Sequence, residues 1–445
     1  MKTGSRSVPL NFNDFLHLAT SDVCLANINA VTWRFKEPHS EEEIRQALRY
    51  MLTIYPKLRS VVEPTLSSYR FRIIDDNDPI LDFLFKDSFR VFKNIEFDSP
   101  EYIELRRNLY NEPISLEQAL PLKIYYLDNS RYPVLLMGLR HVTGDASSWI
   151  HMAGSLMSYL NGKIPEPYQI DDPSLDPVFY EDSPGKIFRQ ILQTFQSLIY
   201  RKAKPENIRT VPATEHTVDF YGPVDICHKT LPNDLSAIRL KSKQLNCTIN
   251  TLFLTALSIL FSREDVSVLG DTIRIGLPID LRQYYPDPKP VFGNYLSGME
   301  IQVPRVIWSE PREIISHINT QIKNSLSMHK NKQMLLPFIV FKLTTIAGRK
   351  LYAHGIRTAK RKGLINRTCG LSNIGNLDHL NSHGPKAQLF DAISCGVSHG
   401  LLFVVNSMDG SIHMKVSFQQ REFTREKVDD LISKFEGILD ELLEL

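Results

Sequence analysis

The residues best suited to chemistry are Arg140-His141-Val142-Thr143-Gly144-Asp145. A nearly continuous apolar run, VLLMGL, leads to a histidine; a turn with glycine follows, and an aspartate opens what reads as a helix. Strand ends in α/β folds are where clefts and catalytic groups collect. A neutral imidazole, with a reference pKa of ~6.5, can accept a proton near neutral pH while a local carbonyl holds its other nitrogen. Two plainer readings stand beside this one. His and Asp at this spacing also make half a metal site, but no HExxH or Cys/His pair supplies the remaining ligands, so no metal is expected. A core histidine beside an N-capping aspartate is the other. No GxxxxGK[ST] loop or GxGxxG fingerprint occurs, so phosphate-loop and dinucleotide chemistry have no footing. Ser147 and Ser148 read as helix-capping residues, and Cys369 and Cys395 as structural thiols.

The elements that must position this histidine can be read around it. Ser40 and Glu43 form a capping box that opens a helix, and Pro56 ends it. Residues 122–127 and 134–142 read as strands joined through Asp128-Asn129-Ser130, the second apolar enough to be central and buried on both faces. A helix over 146–160 follows. Pro, Asp and Gly gather in residues 161–185, which marks a boundary between lobes. The expected lobes are 1–180, carrying the HxxxD motif, and 223–445, with 181–222 as a linker that holds a basic helix at 186–201. The second lobe reads as a strand at 224–230, helices at 233–245 and 250–263, a strand at 272–279, four strands between 368 and 418, and a closing helix at 425–443. Interleaved helices and strands predict an α/β (α+β) fold.

A chain of 445 residues exceeds one ordinary core, in keeping with two lobes. The N-terminus lacks the apolar run of a signal peptide. The longest apolar stretch, 249–261, falls short of the ~20 residues a bilayer needs, so no transmembrane segment is expected. Five cysteines with scattered spacing suggest a reducing compartment, and a cytoplasmic location is the expectation. The net charge is only +2, but residues 314–377 contain no Asp or Glu while holding eleven Lys and Arg. A second basic cluster comprises Lys186, Arg189, Arg201, Lys202 and Lys204. Such stretches attract anions or form plain solvated faces. No helix-turn-helix, RNA-recognition or zinc pattern accompanies them, so no nucleic-acid partner is expected.

The motif at 140–145 resembles the HHxxxDG motif of acyltransferases related to chloramphenicol acetyltransferase, a superfamily that includes non-ribosomal peptide synthetase condensation domains and alcohol acetyltransferases. Tyr55-Pro56-Lys57-Leu58-Arg59-Ser60 is similar to their hPxLRs segment. Leu277-Pro278-Ile279-Asp280-Leu281-Arg282 with Phe292-Gly293-Asn294-Tyr295 is similar to pvDlR…fGNy, and Leu371-Ser372-Asn373-Ile374-Gly375 to the C-terminal SNxG strand. The matches keep the family's order and span most of the chain. The first family histidine is Arg140 here, and the Gly after Asp is Ala146. The resemblance implies two chloramphenicol acetyltransferase-like lobes forming a V-shaped pseudo-dimer with mixed sheets and a central tunnel. It implies transfer of an acyl group from a coenzyme A or carrier-protein thioester to a hydroxyl or amine, with His141 and Asp145 as the catalytic pair. His141 would be the general base. Asp145 would be held by an arginine, Arg282 first and Arg59 second, and Gly144, Asn294, Ser372 and Asn373 would shape the tunnel. The alternatives are a free-standing condensation enzyme forming an amide from carrier-bound substrates, as in secondary metabolism, and a non-catalytic binding member. No permanently bound cofactor is implied; acyl-CoA or a phosphopantetheinyl carrier protein would be cosubstrate or partner.

Overall fold

The computed structural model describes residues 6–24, 27–66, 68–129, 131–168, 174–179, 185, 188–189, 192, 207–211, 222–264, 270–332, 338–339, 345–396 and 400–445. The basic helix read at 186–201 and all of the second basic cluster but Arg189 lie for the most part outside them.

The N-terminal lobe begins with a short strand, Ser7–Pro9 (β1), and a helix, Phe12–Thr20 (α1), capped by Asn11 in a reciprocal box with Asp14. Its main sheet holds Ile28–Phe35 (β2), Phe89–Lys93 (β5), Leu122–Asp128 (β6) and Val134–Arg140 (β7). The capping box at Ser40 forms as read and starts Glu41–Ile54 (α2). The hairpin β6–β7 also forms, and every residue of β7 is buried, as its apolar run requires. Ser60–Pro64 (β3) and Tyr69–Ile73 (β4) join β1 in a small antiparallel sheet. Among the described residues, helices Pro79–Ser88 (α3), Pro100–Asn111 (α4) and Ala146–Leu160 (α5) and the single turn Asp176–Phe179 (α6) also belong to this half. On one face of the main sheet Trp33, Met137 and Leu135 pack with Leu48 of α2 and Trp149 of α5 in one core.

The other lobe is a six-stranded mixed sheet of Val224–Leu231 (β8), Thr272–Asp280 (β9), Leu296–Pro304 (β10), Cys369–Asn376 (β11), Leu402–Met408 (β13) and Ser411–Gln419 (β14), in the order β10-β9-β11-β13-β14-β8. Its helices are Leu235–Gln244 (α7), Ile249–Arg263 (α8), Pro311–Lys330 (α9), Arg349–Arg361 (α10) and Arg425–Glu444 (α11). Residues Thr251–Phe261 of α8 are all buried, which explains why this helix carries the longest apolar run: it is core on all sides. Among the described residues no single helix is long and apolar enough to cross a membrane.

The division at residue 223 needs one correction. Leu389–Gly396 (β12) leaves the second lobe and pairs with β2, so the N-terminal sheet runs β12-β2-β7-β6-β5. Its alternation fits either sheet equally well, so nothing local marks the exchange. Between the two sheets lies a shared core in which Ile28, Ala30 and Leu136 of one face Ile226 and Val404 of the other, with Tyr102 and Tyr110 of α4 wedged in. Asp225 fastens the same seam by accepting from Arg106 and Arg107 of α4.

Candidate active site

His141 follows the last residue of β7 and starts a short 3-10 turn, His141–Thr143. Its backbone N–H donates to Asn27 O at 3.1 Å, and its carbonyl accepts from Asn294 Nδ2 at 2.8 Å. The residue is half-buried. Nδ1 is buried without a partner, whereas Nε2 is neither hydrogen-bonded nor among the buried unpartnered atoms. Burial pushes the imidazole pKa below its usual value, offset in part by its own backbone carbonyl, Asp145, Asn294 and Asp14. The ring is therefore neutral at neutral pH.

One flank of this ring is closed by a residue that sequence reading missed. His17 of α1 stacks on His141 with centroids 3.6 Å apart and planes within 10°. The side chain of Asn27 donates to His17 O at 2.6 Å and ties the two segments together. His17 belongs to no motif; only the packing of α1 on the 3-10 turn brings it here.

Asp145 caps α5 by accepting from Ser148 N–H at 3.1 Å. Arg282 grips it with two N–H···O bonds of 3.0 Å, one to each oxygen, and the Tyr295 amide donates at 2.9 Å. A fully buried carboxylate that accepts this many bonds has no lone pair left for proton transfer. Its geometry is that of a positioning residue. Arg282 also donates to the carbonyls of Pro290, Val291 and Gly293, so one guanidinium holds the 290–293 loop against the HxxxD turn. Arg59 does not take part. It donates to Leu52, Thr53 and Ile74 carbonyls and lies 3.8 Å from Asp76.

Asn294 is the second hub. Its Nδ2 is shared among Asp14 Oδ1, His141 O and Val142 O at 2.8–3.0 Å. Asp14 in turn receives Lys57 Nζ at 3.2 Å, and both side chains are buried. Burial raises the Asp14 pKa, with Lys57 opposing. Segments 55–60 and 292–295, far apart in sequence, therefore meet under the histidine. Gly293 has φ +148°, and a Cβ there would fall 2.8 Å from Tyr295 and 2.9 Å from Lys57. Gly144 accepts at its carbonyl from Asn29 Nδ2, and a Cβ would lie 3.0 Å from that of Ser148. Ser372 and Asn373 are on β11, the latter exposed with its side chain accepting from Gly375 N–H. Neither bonds to the His141 cluster among the described residues.

A cavity of about 620 Å³ opens where β9 and β11 part after Gly276 and Gly370. Gly276, Leu277, Ser297, Cys369, Lys360 and Arg367 are among its lining residues. Asn294 lies three residues before Ser297, ~10 Å in extended chain. The acid-free stretch is less unbalanced than its sequence suggests, because folding supplies acids from elsewhere. Arg349 pairs with Asp22, Lys360 with Glu422, and Arg367 with Glu300. The sequence also holds a GxSxG pentapeptide at 396–400. It follows a strand and precedes another strand, whereas a nucleophile elbow needs a helix there, and its residues 397–399 lie outside the described ones.

No family model and no curated protein sequence matches the chain. Solved structures do. The first condensation domain of the calcium-dependent antibiotic synthetase, in complex with a substrate analogue, is 12% identical with a TM-score of 0.72, covering 99% of this chain and 97% of its own. TRI3 trichothecene 15-O-acetyltransferase from Fusarium sporotrichioides is 9% identical, TM-score 0.72, with the same coverage. The epimerization domain from the third module of tyrocidine synthetase B is 14% identical, TM-score 0.65, covering 100% of this chain and 99% of its own. The chain has the chloramphenicol acetyltransferase-like fold that these proteins share.

Proposed function

We propose that this protein is an acyltransferase in which His141 removes the proton from a hydroxyl or amine as that group attacks a thioester carbonyl. The observation that carries this reading is the His141 ring: neutral, half-buried, anchored through its backbone by Asn294, with Nε2 unengaged. The likeness to condensation domains and to an acetyltransferase supports the same chemistry. In the proposed step the acceptor oxygen or nitrogen forms a bond to the acyl carbon, its proton passes to Nε2, and collapse of the tetrahedral species expels the thiolate. The imidazolium returns the proton to that thiolate. Donors for the transient oxyanion would come from the first amides of α5, where the helix dipole favours negative charge.

The donor would be an acyl-CoA or the phosphopantetheinyl arm of a carrier protein. The cavity beside Ser297 has the size of a ligand pocket; its lining includes Lys360 and Arg367, which would have to exchange their partners Glu422 and Glu300 to hold a phosphorylated arm. The test measures thiol release and product mass with acetyl-CoA and, separately, an acetylated carrier protein, against panels of alcohols and amines. His141→Ala should lower the acceptor-dependent rate by about 10²–10⁴. Equal rates for wild type and variant would overturn the assignment. An amide formed only from the carrier-bound donor would favour the condensation reading.

A further inference from the structure

Away from His141, the seam between the lobes gathers three side chains of metal-ligand type. We propose that His228, His413 and Asp391 bind a divalent transition-metal ion of the zinc class, joining the two lobes through one ion. One ligand atom from each lies within 4.8 Å of those from the other two. The two histidines come from β8 and β14 of one lobe, and the aspartate comes from β12, the strand lent to the other lobe's sheet.

Register places the donors together. His413 stands opposite Thr230, and His228 opposite Lys415, so all four side chains project from one face of the sheet. That face meets β12. Three buried atoms here have no partner: His228 Nε2, His413 Nε2 and Asp391 Oδ1. Buried polar atoms are rarely left in this condition without an ion or water, and these three are two imidazole nitrogens and a carboxylate oxygen, a set that suits zinc or cobalt. Two of the outer atoms are already held: the other ring nitrogen of His413 lies 3.2 Å from Thr230 Oγ1, and Arg34 donates to Asp391 Oδ2 at 3.0 Å. Metal-bound histidines and carboxylates are oriented by just such partners. Ligands at ~2.0–2.1 Å from zinc sit about 3.3 Å apart, so the trio must close by up to about 1.5 Å at its widest. Thr230 is exposed, which puts the trio within reach of solvent.

Charged groups of both signs surround the trio. Arg34 and Arg106 oppose a cation, while Asp98 and Asp409 favour it. Lys415 is buried, donates to Asn406, and has its ammonium pKa pushed down by burial to about 8.

The experiment strips the full chain with a chelator, adds Co²⁺ while following visible absorption, and displaces it with Zn²⁺. One equivalent per chain with the intense bands of a low-coordinate site is expected. His413→Gln and Asp391→Asn should abolish the bands. Thr230→Val, which keeps all three ligands and alters only an exposed hydroxyl, should weaken binding by about 10–100-fold. Circular dichroism confirms that each variant is folded. Absence of the bands in the folded wild type, or bands of equal strength in Thr230→Val and His413→Gln, would overturn the proposal. Neither readout depends on acyl transfer.

Discussion

Arg282→Met removes the guanidinium that clasps Asp145. In the folded chain the Arg282 and Asp145 side chains keep 11% and 1% of their exposure, so the variant leaves a carboxylate buried beside a thioether. Breaking one side of a buried pair costs about 3–5 kcal/mol. The carbonyls of Pro290, Val291 and Gly293 lose their donor as well, which places the expected loss in the upper part of that range. For a lobe of ~200 residues, a 3–5 kcal/mol loss lowers Tm by roughly 6–20 °C. Arg282→Lys keeps the charge but not the two-pronged geometry and should fall between wild type and Met. Because the two groups act as one unit, Asp145→Asn combined with Arg282→Met should lose less than the sum of the single changes, by at least ~1 kcal/mol. The assay pairs thermal melts with initial rates measured well below the variant's Tm. Lower Tm with a near-normal rate per folded molecule is the expected outcome. An unchanged Tm with abolished turnover would refute the reasoning, since it would put Arg282 in the chemistry instead of the scaffold.

Four further outcomes follow from the same geometry. Since burial lowers the His141 pKa, kcat/KM should be flat near neutrality and fall on the acid side only below about pH 6.5; a limb above 7 would contradict it. His141, His228 and His413 all bind protons more weakly folded than unfolded. Their contribution is full above about 6.5 and declines as pH falls, so melts should show Tm dropping from pH 7 to 5. Gly293→Ala must fit a Cβ against Tyr295 and Lys57 at a left-handed φ, and a loss of about 1–3 kcal/mol in denaturant melts is expected. Asn294→Ala frees the His141 and Val142 carbonyls and Asp14. It should cut kcat more than it raises KM, because the histidine loses its anchor and no substrate contact is removed.

Much of the architecture could be read from residue order alone. The apolar run of β7, the Ser40–Glu43 box, and the closing amphipathic helix α11 each carry a periodic or capping signal that local physics suffices to interpret. The order of the segments around Lys57, His141, Arg282 and Asn294 likewise pointed to one site. Tertiary structure decided the rest. Arg282 reaches Asp145 and Arg59 does not, because the turn after β9 and not the turn after α2 is folded over the start of α5. His17 reaches His141 because α1 lies on the 3-10 turn, and no spacing along the chain encodes that. The exchange of β12 between sheets, and with it the meeting of Asp391 with His228 and His413, was equally invisible. Strand alternation tells which face of a strand is buried but not which sheet will bury it, since pairing partners distant in sequence are selected only when the whole core packs.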